Sequence, residues 1–222
     1  MTKIFIGIPT IREYKPFKDS IKLLIPEIAK NYKVDVLEVK NAPIASARNI
    51  IADVFLERDC DYLLFLDDDH EGHTIEMFND LIAPQEYVCA MKCYMKQFPY
   101  MSNILEYSNV DTSIYGFTDD TGKYKSIDYY SGYRFCDVVG MGMTLIKRET
   151  FDKIEKPYFD GIKEDNYFCE KLGIAGIKPL GCFNHTLSHN GINEYNSEKL
   201  RSEEIERYHK EHPEVSEVTF IC

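Results

Sequence analysis

Apolar residues recur with two alternating periods along the first ninety positions. Ile4-Phe5-Ile6-Gly7-Ile8 is a continuous apolar run closed by Pro9-Thr10, which predicts a buried strand. Phe17, Ile21, Leu24, Ile25 and Ile28 follow at helical spacing, with Pro26 expected to kink or break that helix. Val34 to Val39 reads as a second strand. Ala47, Ile50, Ile51, Val54 and Phe55 predict a second helix starting near Pro43. Tyr62 to Leu66 is apolar throughout, as a strand covered on both faces should be. Thr74 is placed to cap a helix through Ile75, Phe78, Leu81 and Ile82, and Tyr87 to Met91 is a fourth strand. This β-α-β-α-β-α-β order, with right-handed crossovers, predicts an open, mainly parallel α/β sheet with helices on both faces. Ligands of such sheets sit beyond the carboxyl ends of the strands, here Pro9-Thr10, the segment near Asn41, and Asp67 onward.

The pattern changes over residues 92–136. Eight of the sixteen tyrosines lie between Tyr94 and Tyr133, among polar residues, and Asp119-Asp120-Thr121-Gly122 has hairpin-turn chemistry. The stretch reads as an inserted hairpin or flap, either an edge hairpin with half-buried tyrosines or an acceptor-binding wall. Strand character resumes from Asp137 to Ile146, a short helix follows from Arg148 to Ile154, and a further helix begins at Glu164-Asp165 and stops at Gly173, a C′ glycine by position. Ser197 is placed to cap a last charged helix reaching about Lys210. The organisation is then one domain over 1–222, in four stretches: 1–91, the insertion (92–136), 137–191 and a C-terminal acidic helix (192–222). A length of 222 residues fits one large domain.

Composition narrows the function classes. Hydrophobic residues at 44% and charged residues at 28% are globular values, and no apolar run approaches the ~18–20 residues of a membrane span. The apolar start is too short for a signal peptide. The net charge of −11 disfavours nucleic acid as a partner without excluding a local basic groove. Residues 194–217 hold eight Glu against four Lys/Arg and supply part of that excess. The seven cysteines are scattered with no C-x-x-C pair, which reads as reduced core thiols and a cytoplasmic location.

Asp67-Asp68-Asp69-His70 directly after the buried third strand carries the strongest chemical signal. Three adjacent carboxylates repel one another unless a positive charge sits among them, and a hard divalent cation is the natural partner. The alternative is a helix cap with solvated acids. His185 and His189, four apart, share a face and are either structural or ligating. Glu164-Asp165 opens a helix, as dipole partners or as a general base. Arg48 is either a surface arginine or a phosphate contact aided by helix N-terminal amides. Gly140 and Gly142 in a strand context suggest a bulge or a close backbone approach.

Taken in order, a first strand ending in Pro9-Thr10, the Ala47-Arg48-Asn49 helix start, an apolar strand running into Asp67-x-Asp69, a Gly140-x-Gly142 strand with a short helix and Pro157-Tyr158-Phe159, Glu164-Asp165 and a terminal His189-x-Gly191 resemble a GT-A glycosyltransferase of the family-two-like group. The resemblance covers roughly residues 3–191, and it implies that 1–91 is the nucleotide-binding half and 137–191 the acceptor and catalytic half. It implies a metal-dependent, hexosyl-type transfer from a nucleoside-diphosphate sugar, with UDP as the expected nucleotide, to an unknown acceptor hydroxyl, with inversion expected and retention left open. By the same resemblance Asp69 and His189, with Asp67, would hold Mn2+ or Mg2+. Pro9, Thr10, Arg12, Arg48, Asp67, Asp68 and Gly142 would meet the donor. Asp165 would be the base, with Glu164 beside it. The chain lacks the Gln-x-x-Arg-Trp motif of processive synthases and any Trp. A tyrosine-rich flap could serve a homo-oligomer. Two other function classes compete: a metal-dependent hydrolase or phosphoesterase using Asp67, Asp69, His70, His73, His185 and His189, and a non-catalytic nucleotide-sugar-binding module.

Overall fold

The computed structural model describes residues 1–11, 14–95, 101–107, 124–127 and 130–192, with single helical positions between 196 and 210. Arg12, the Asp119–Gly122 turn and the Ser197 cap lie outside the described residues.

The alternating pattern of the first half folds as read: β1 (Lys3–Thr10), α1 (Lys15–Ala29), β2 (Lys33–Lys40), α2 (Ile44–Glu57), β3 (Tyr62–Leu66), then, after an unread two-residue strand β4 (His70–Glu71), α3 (Ile75–Ile82) and β5 (Val88–Cys93). The Thr74 side chain caps α3 by accepting from the Met77 N–H. Pro26 does not break α1, which runs on to Ala29. Pro26 and Lys22 are both exposed, so the Lys22 carbonyl that loses its helical donor is hydrated, while Leu24 and Ile28 stay anchored in the core.

The second half adds β6 (Ile104–Tyr107), β7 (Tyr124–Ser126), β8 (Tyr133–Phe135), β9 (Val138–Val139), β10 (Met143–Lys147), α4 (Arg148–Phe151), α5 (Glu164–Ile174) and β11 (Leu180–His189). The main sheet has the order β2-β1-β3-β10-β5-β11-β4, with β8 on the side of β11. β1 is parallel to β2 and β3, and β11 is parallel to β5. β10 is antiparallel to both β3 and β5, so those two point the same way. The sheet is thus a mostly parallel α/β sheet with one late strand wedged antiparallel into its centre, an interruption absent from the expected parallel run. Helices α1 and α3 cover one face and α2, α4 and α5 the other, each over its own apolar cluster.

Three features of the second half differ from the sequence expectation. The stretch from Asp137 to Ile146 is two strands, β9 in a small sheet with β6 and β7, and β10 in the main sheet, with Gly140-Met141-Gly142 crossing between them. The glycine that closes α5 is Gly176, at φ 73°, rather than Gly173, because the Ile177 N–H reaches back to the Leu172 carbonyl. β11 was unforeseen: its polar end, Asn184 to His189, hides an extended strand that shifts register between Cys182 and Thr186 before its tip pairs with β4. That pairing sets His189 opposite His70.

Because Pro26 sits on the wet face of α1, Pro26→Ala is expected to restore one backbone donor without disturbing packing. A gain of about 1–2 kcal/mol in urea unfolding is expected, less than the full helix-propensity difference because proline also stiffens the unfolded chain. No gain would show that the Lys22 carbonyl loses nothing to the proline.

Candidate active site

The carboxyl ends of β1, β3 and β5, the crossing segment, the start of α5 and the tip of β11 enclose a cleft of about 500 Å³. It is lined by Pro9, Arg48, Asp67, Asp68, Asp69, Gly142, Glu164, Asp165 and His189 among others. Thr10 is not among the lining residues; its hydroxyl donates to Glu38 at 2.9 Å, toward the β2 edge.

The acid triplet divides into three roles. Asp67 takes the Arg48 fork, with Nη1 at 2.9 Å from Oδ1 and Nη2 at 3.1 Å from Oδ2. Asp68 accepts the Ile11 N–H at 2.8 Å and so fixes the chain leaving β1. Asp69 faces two imidazoles: Oδ1 is 2.9 Å from His70 Nδ1 and Oδ2 is 3.3 Å from His189 Nε2. Both Asp67 oxygens are bonded to the guanidinium, and Asp69 is the carboxylate of the triplet turned to His189.

Arg48 is neither a surface arginine nor an open phosphate contact. It is buried on α2, its guanidinium carbon 5.3 Å from the Phe65 ring centre, and beyond Asp67 it meets Glu164 Oε1 at 3.3 Å and Asp165 Oδ1 at 3.6 Å. Burial alone would lower its pKa, and the three carboxylates more than offset that, so it stays charged. Its neighbour Asn49 works elsewhere, tying α2 to Tyr158 and Phe159 through bonds to both N–H groups and the Phe159 carbonyl. Asp165, in the first turn of α5, accepts the Met141 N–H at 3.3 Å. Burial, then Glu164 and Asp67, push its pKa well above the carboxylate range against the pull of Arg48.

The geometry around Asp69 suits a cation. His189 Nδ1 lies 2.9 Å from the Tyr94 carbonyl, which only accepts, so Nδ1 carries a proton and the ring, when neutral, presents a lone pair at Nε2. That lone pair and Asp69 Oδ2 face each other at 3.3 Å, and buried Nε2 has no hydrogen bond. Two acceptors opposed in a buried place repel unless a positive charge lies between them. A nitrogen oriented by a backbone carbonyl beside a carboxylate oxygen is a ligand set that fits a divalent metal. Cys93 Sγ, at 3.3 Å from His70 Nε2, completes a group of His70, Cys93 and His189 whose ligand atoms lie within 4.8 Å of one another. Sequence reasoning passed over Cys93 and cast His70 only in the competing hydrolase. Their place follows from the β4–β11 pairing, which leaves no local signature.

The other two described histidines lie apart. His73 packs edge-on to Phe17 with Nδ1 at 2.8 Å from Ser20 Oγ, and burial pushes its pKa down to about 3. His185 faces Asp80 at 3.5 Å. A two-metal hydrolase assembled from all four histidines therefore has no shared centre. Among the described residues no helix is long and apolar enough to cross a membrane.

No family model matches the sequence, and no curated protein does. Two solved structures share the fold. One is A197 from STIV, at 23% identity and TM-score 0.56, covering 84% of this chain and 83% of that one. The other is GalNAc-T7 with UDP, GalNAc and Mn2+, at 14% identity and TM-score 0.55, covering 85% of this chain. This chain spans 44% of the GalNAc-T7 chain. The likeness places the protein among GT-A-like, Rossmann-type α/β folds.

Asp165 gives the fold a pH dependence whose sign is fixed. With its native pKa above the unfolded value of 3.8, the unfolded chain releases this proton first as pH rises. The unfolded state then binds fewer protons, so this group's contribution to stability falls from about pH 4 into the neutral range. Asp165→Asn is expected to remove that slope and to be the more stable protein at pH 8, read from urea midpoints across pH. Parallel profiles for the two proteins would show that Asp165 is ionised normally.

Proposed function

We propose that the protein is a metal-dependent glycosyltransferase that moves a sugar from a nucleoside-diphosphate sugar, UDP-linked by the fold likeness, to an acceptor hydroxyl. The observation that carries the reading is the opposition of Asp69 Oδ2 and His189 Nε2 at 3.3 Å in a cleft at the carboxyl rim of the sheet. The GalNAc-T7 structure of the same fold was solved with UDP and Mn2+, which supports a nucleotide and a divalent metal here.

Asp69 and His189 would hold Mn2+ or Mg2+. The metal supplies positive charge against the diphosphate that leaves with the nucleotide. Pro9 and Ile11 give the cleft an apolar edge for the base, on a chain segment fixed by Asp68. Arg48 supports the donor from behind: it sets the Asp67 carboxylate, the first acid of the triplet, rather than reaching a phosphate itself. Asp165 lines the same cleft and, with its raised pKa, is matched to taking a proton from an attacking hydroxyl near neutral pH. Attack on the face opposite the leaving diphosphate gives inversion.

Two variants and one panel test this. Asp69→Ala is expected to abolish Mn2+-dependent UDP binding in calorimetry, and unchanged binding refutes the assignment. Asp165→Asn is expected to keep UDP binding and lose transfer by about 10²- to 10⁴-fold, the range of a general base. Retained transfer removes Asp165 as base, and loss of UDP binding alone would favour a binding module. Mass spectrometry of products from a nucleotide-sugar panel with Mn2+ identifies donor and acceptor, and release of free sugar or phosphate with no acceptor product would favour hydrolysis.

A further inference from the structure

The group of His70, Cys93 and His189 looks like a three-residue metal site, but its geometry separates the two imidazoles. Their rings are stacked, with centroids 4.1 Å apart and planes 15° from parallel. An ion bound to an imidazole lies close to the ring plane, along the nitrogen lone pair. Two nearly parallel rings stacked in this way cannot both direct an in-plane lone pair at one ion, so in this arrangement only one of them is a ligand.

The surroundings decide which. His189 has its Nδ1 turned to the Tyr94 carbonyl and Nε2 without a hydrogen bond. His70 Nδ1, 2.9 Å from Asp69 Oδ1, likewise makes no hydrogen bond in this arrangement, but His70 Nε2 meets Cys93 Sγ at 3.3 Å, a group that can donate where the Tyr94 carbonyl cannot. A proton on Nδ1 faces the carboxylate favourably and leaves Nε2 to accept from the Cys93 thiol. The opposite tautomer would set a lone pair against the Asp69 oxygen. The ring is also wedged in place. A Cβ on Gly142 would come within 2.6 Å of His70 Nε2, so only glycine in the crossing segment lets the imidazole lie there. This is the close approach that the Gly140-x-Gly142 pattern foreshadowed, made to a side chain of the protein itself.

We infer that His70 is a positioning residue for the cation site, part of a chain running from the Cys93 thiol through the His70 ring to Asp69 Oδ1, which turns the other Asp69 oxygen toward His189. The inference rests on the proposed metal dependence, and it deepens that reading by assigning His70 and Cys93 roles outside the ligand set. Cys93 fixes the tautomer, His70 fixes the carboxylate, and Gly142 supplies the space.

Two measurements test it. In protein stripped with a chelator and titrated calorimetrically with MnCl2 alone, His70→Ala is expected to weaken Mn2+ binding about 10- to 100-fold, with far-UV circular dichroism unchanged. His70→Asn, whose amide N–H stands near the place of Nδ1, is expected to recover most of the loss. His70→Asn as weak as His70→Ala overturns the inference, because a lost ligand is not rescued in this way. The second measurement needs no metal: two-bond 1H–15N spectra of the imidazoles in the metal-free wild-type protein are expected to show His70 protonated at Nδ1, and Cys93→Ala is expected to shift it toward the mixed tautomer. A wild-type His70 protonated at Nε2 overturns the inference even if the His70 variants fail to fold. Wild-type protein that binds no Mn2+ while showing the Nδ1 tautomer refutes the metal dependence and leaves the Cys93–His70–Asp69 chain standing, so the two failures are distinct.

Discussion

Asp67 ends β3, and Glu164 and Asp165 open α5 nearly a hundred residues later, yet the three carboxylates converge on one guanidinium. Arg48 is the buried charge that lets them share a space where they would otherwise repel. Arginine suits the task because its planar fork offers several donors at fixed angles and keeps its charge when buried. Lysine would supply one point charge to three acids. The arrangement fixes the distance between the acid triplet and the proposed base, so both sides of the cleft are set by one side chain. Removing one partner of such a buried network leaves the others uncompensated, a loss of about 3–5 kcal/mol. The chemistry of the cleft and the stability of its walls are therefore bound to the same residue.

The crossing segment joins the two halves of the site. Gly140, Met141 and Gly142 leave the small sheet and enter the main one, and each makes a contact that a regular strand would have used for pairing. The Met141 N–H goes to Asp165, the Gly142 carbonyl to the Asp67 N–H, and the bare face of Gly142 to the His70 ring. Thr144 closes the loop by donating to the Gly140 carbonyl at 2.8 Å. A residue with a side chain at Gly140 would press on Asn103, as one at Gly142 would press on His70. The two glycines are thus explained by crowding on the cleft wall.

Local periodicity made seven elements of the first half legible, because each buries its own apolar residues and boundaries carry ordinary signals such as Pro43 and Thr74. Pairing was not legible. Nothing in Met143–Lys147 says that it will insert antiparallel between β3 and β5, since a strand buried on both faces reads the same in either direction. β11 escaped notice because its second part alternates little and carries Asn, His, Thr and Ser. Those residues serve the cleft and the tip pairing rather than the core. Among the site residues, the acid triplet, Arg48, Glu164-Asp165 and His189 stood out by chemistry. The division of labour within the triplet and the burial of Arg48 did not, because both depend on contacts between distant segments. Cys93 was invisible in sequence, since a lone cysteine in an apolar strand reads as core.

The charge balance of the cleft bears on the order in which its contents assemble. Among the described residues five carboxylates line it, Asp67, Asp68, Asp69, Glu164 and Asp165, against the guanidinium of Arg48. A diphosphate approaching such a wall meets repulsion from the acids before it meets any donor. Under the proposed reaction a divalent cation must therefore enter first or arrive already bound to the nucleotide. Protonated Asp165 would lower the repulsion without cancelling it. A cation held by Asp69 would reverse the field in the cleft locally. Asp165 would then lose its proton more readily, because a nearby positive charge favours the carboxylate. Donor binding and activation of the proposed base would in this way be coupled through the same electrostatics. An acceptor hydroxyl would meet a competent base only after the donor and its cation are in place, which protects the sugar from loss to water in a half-assembled site.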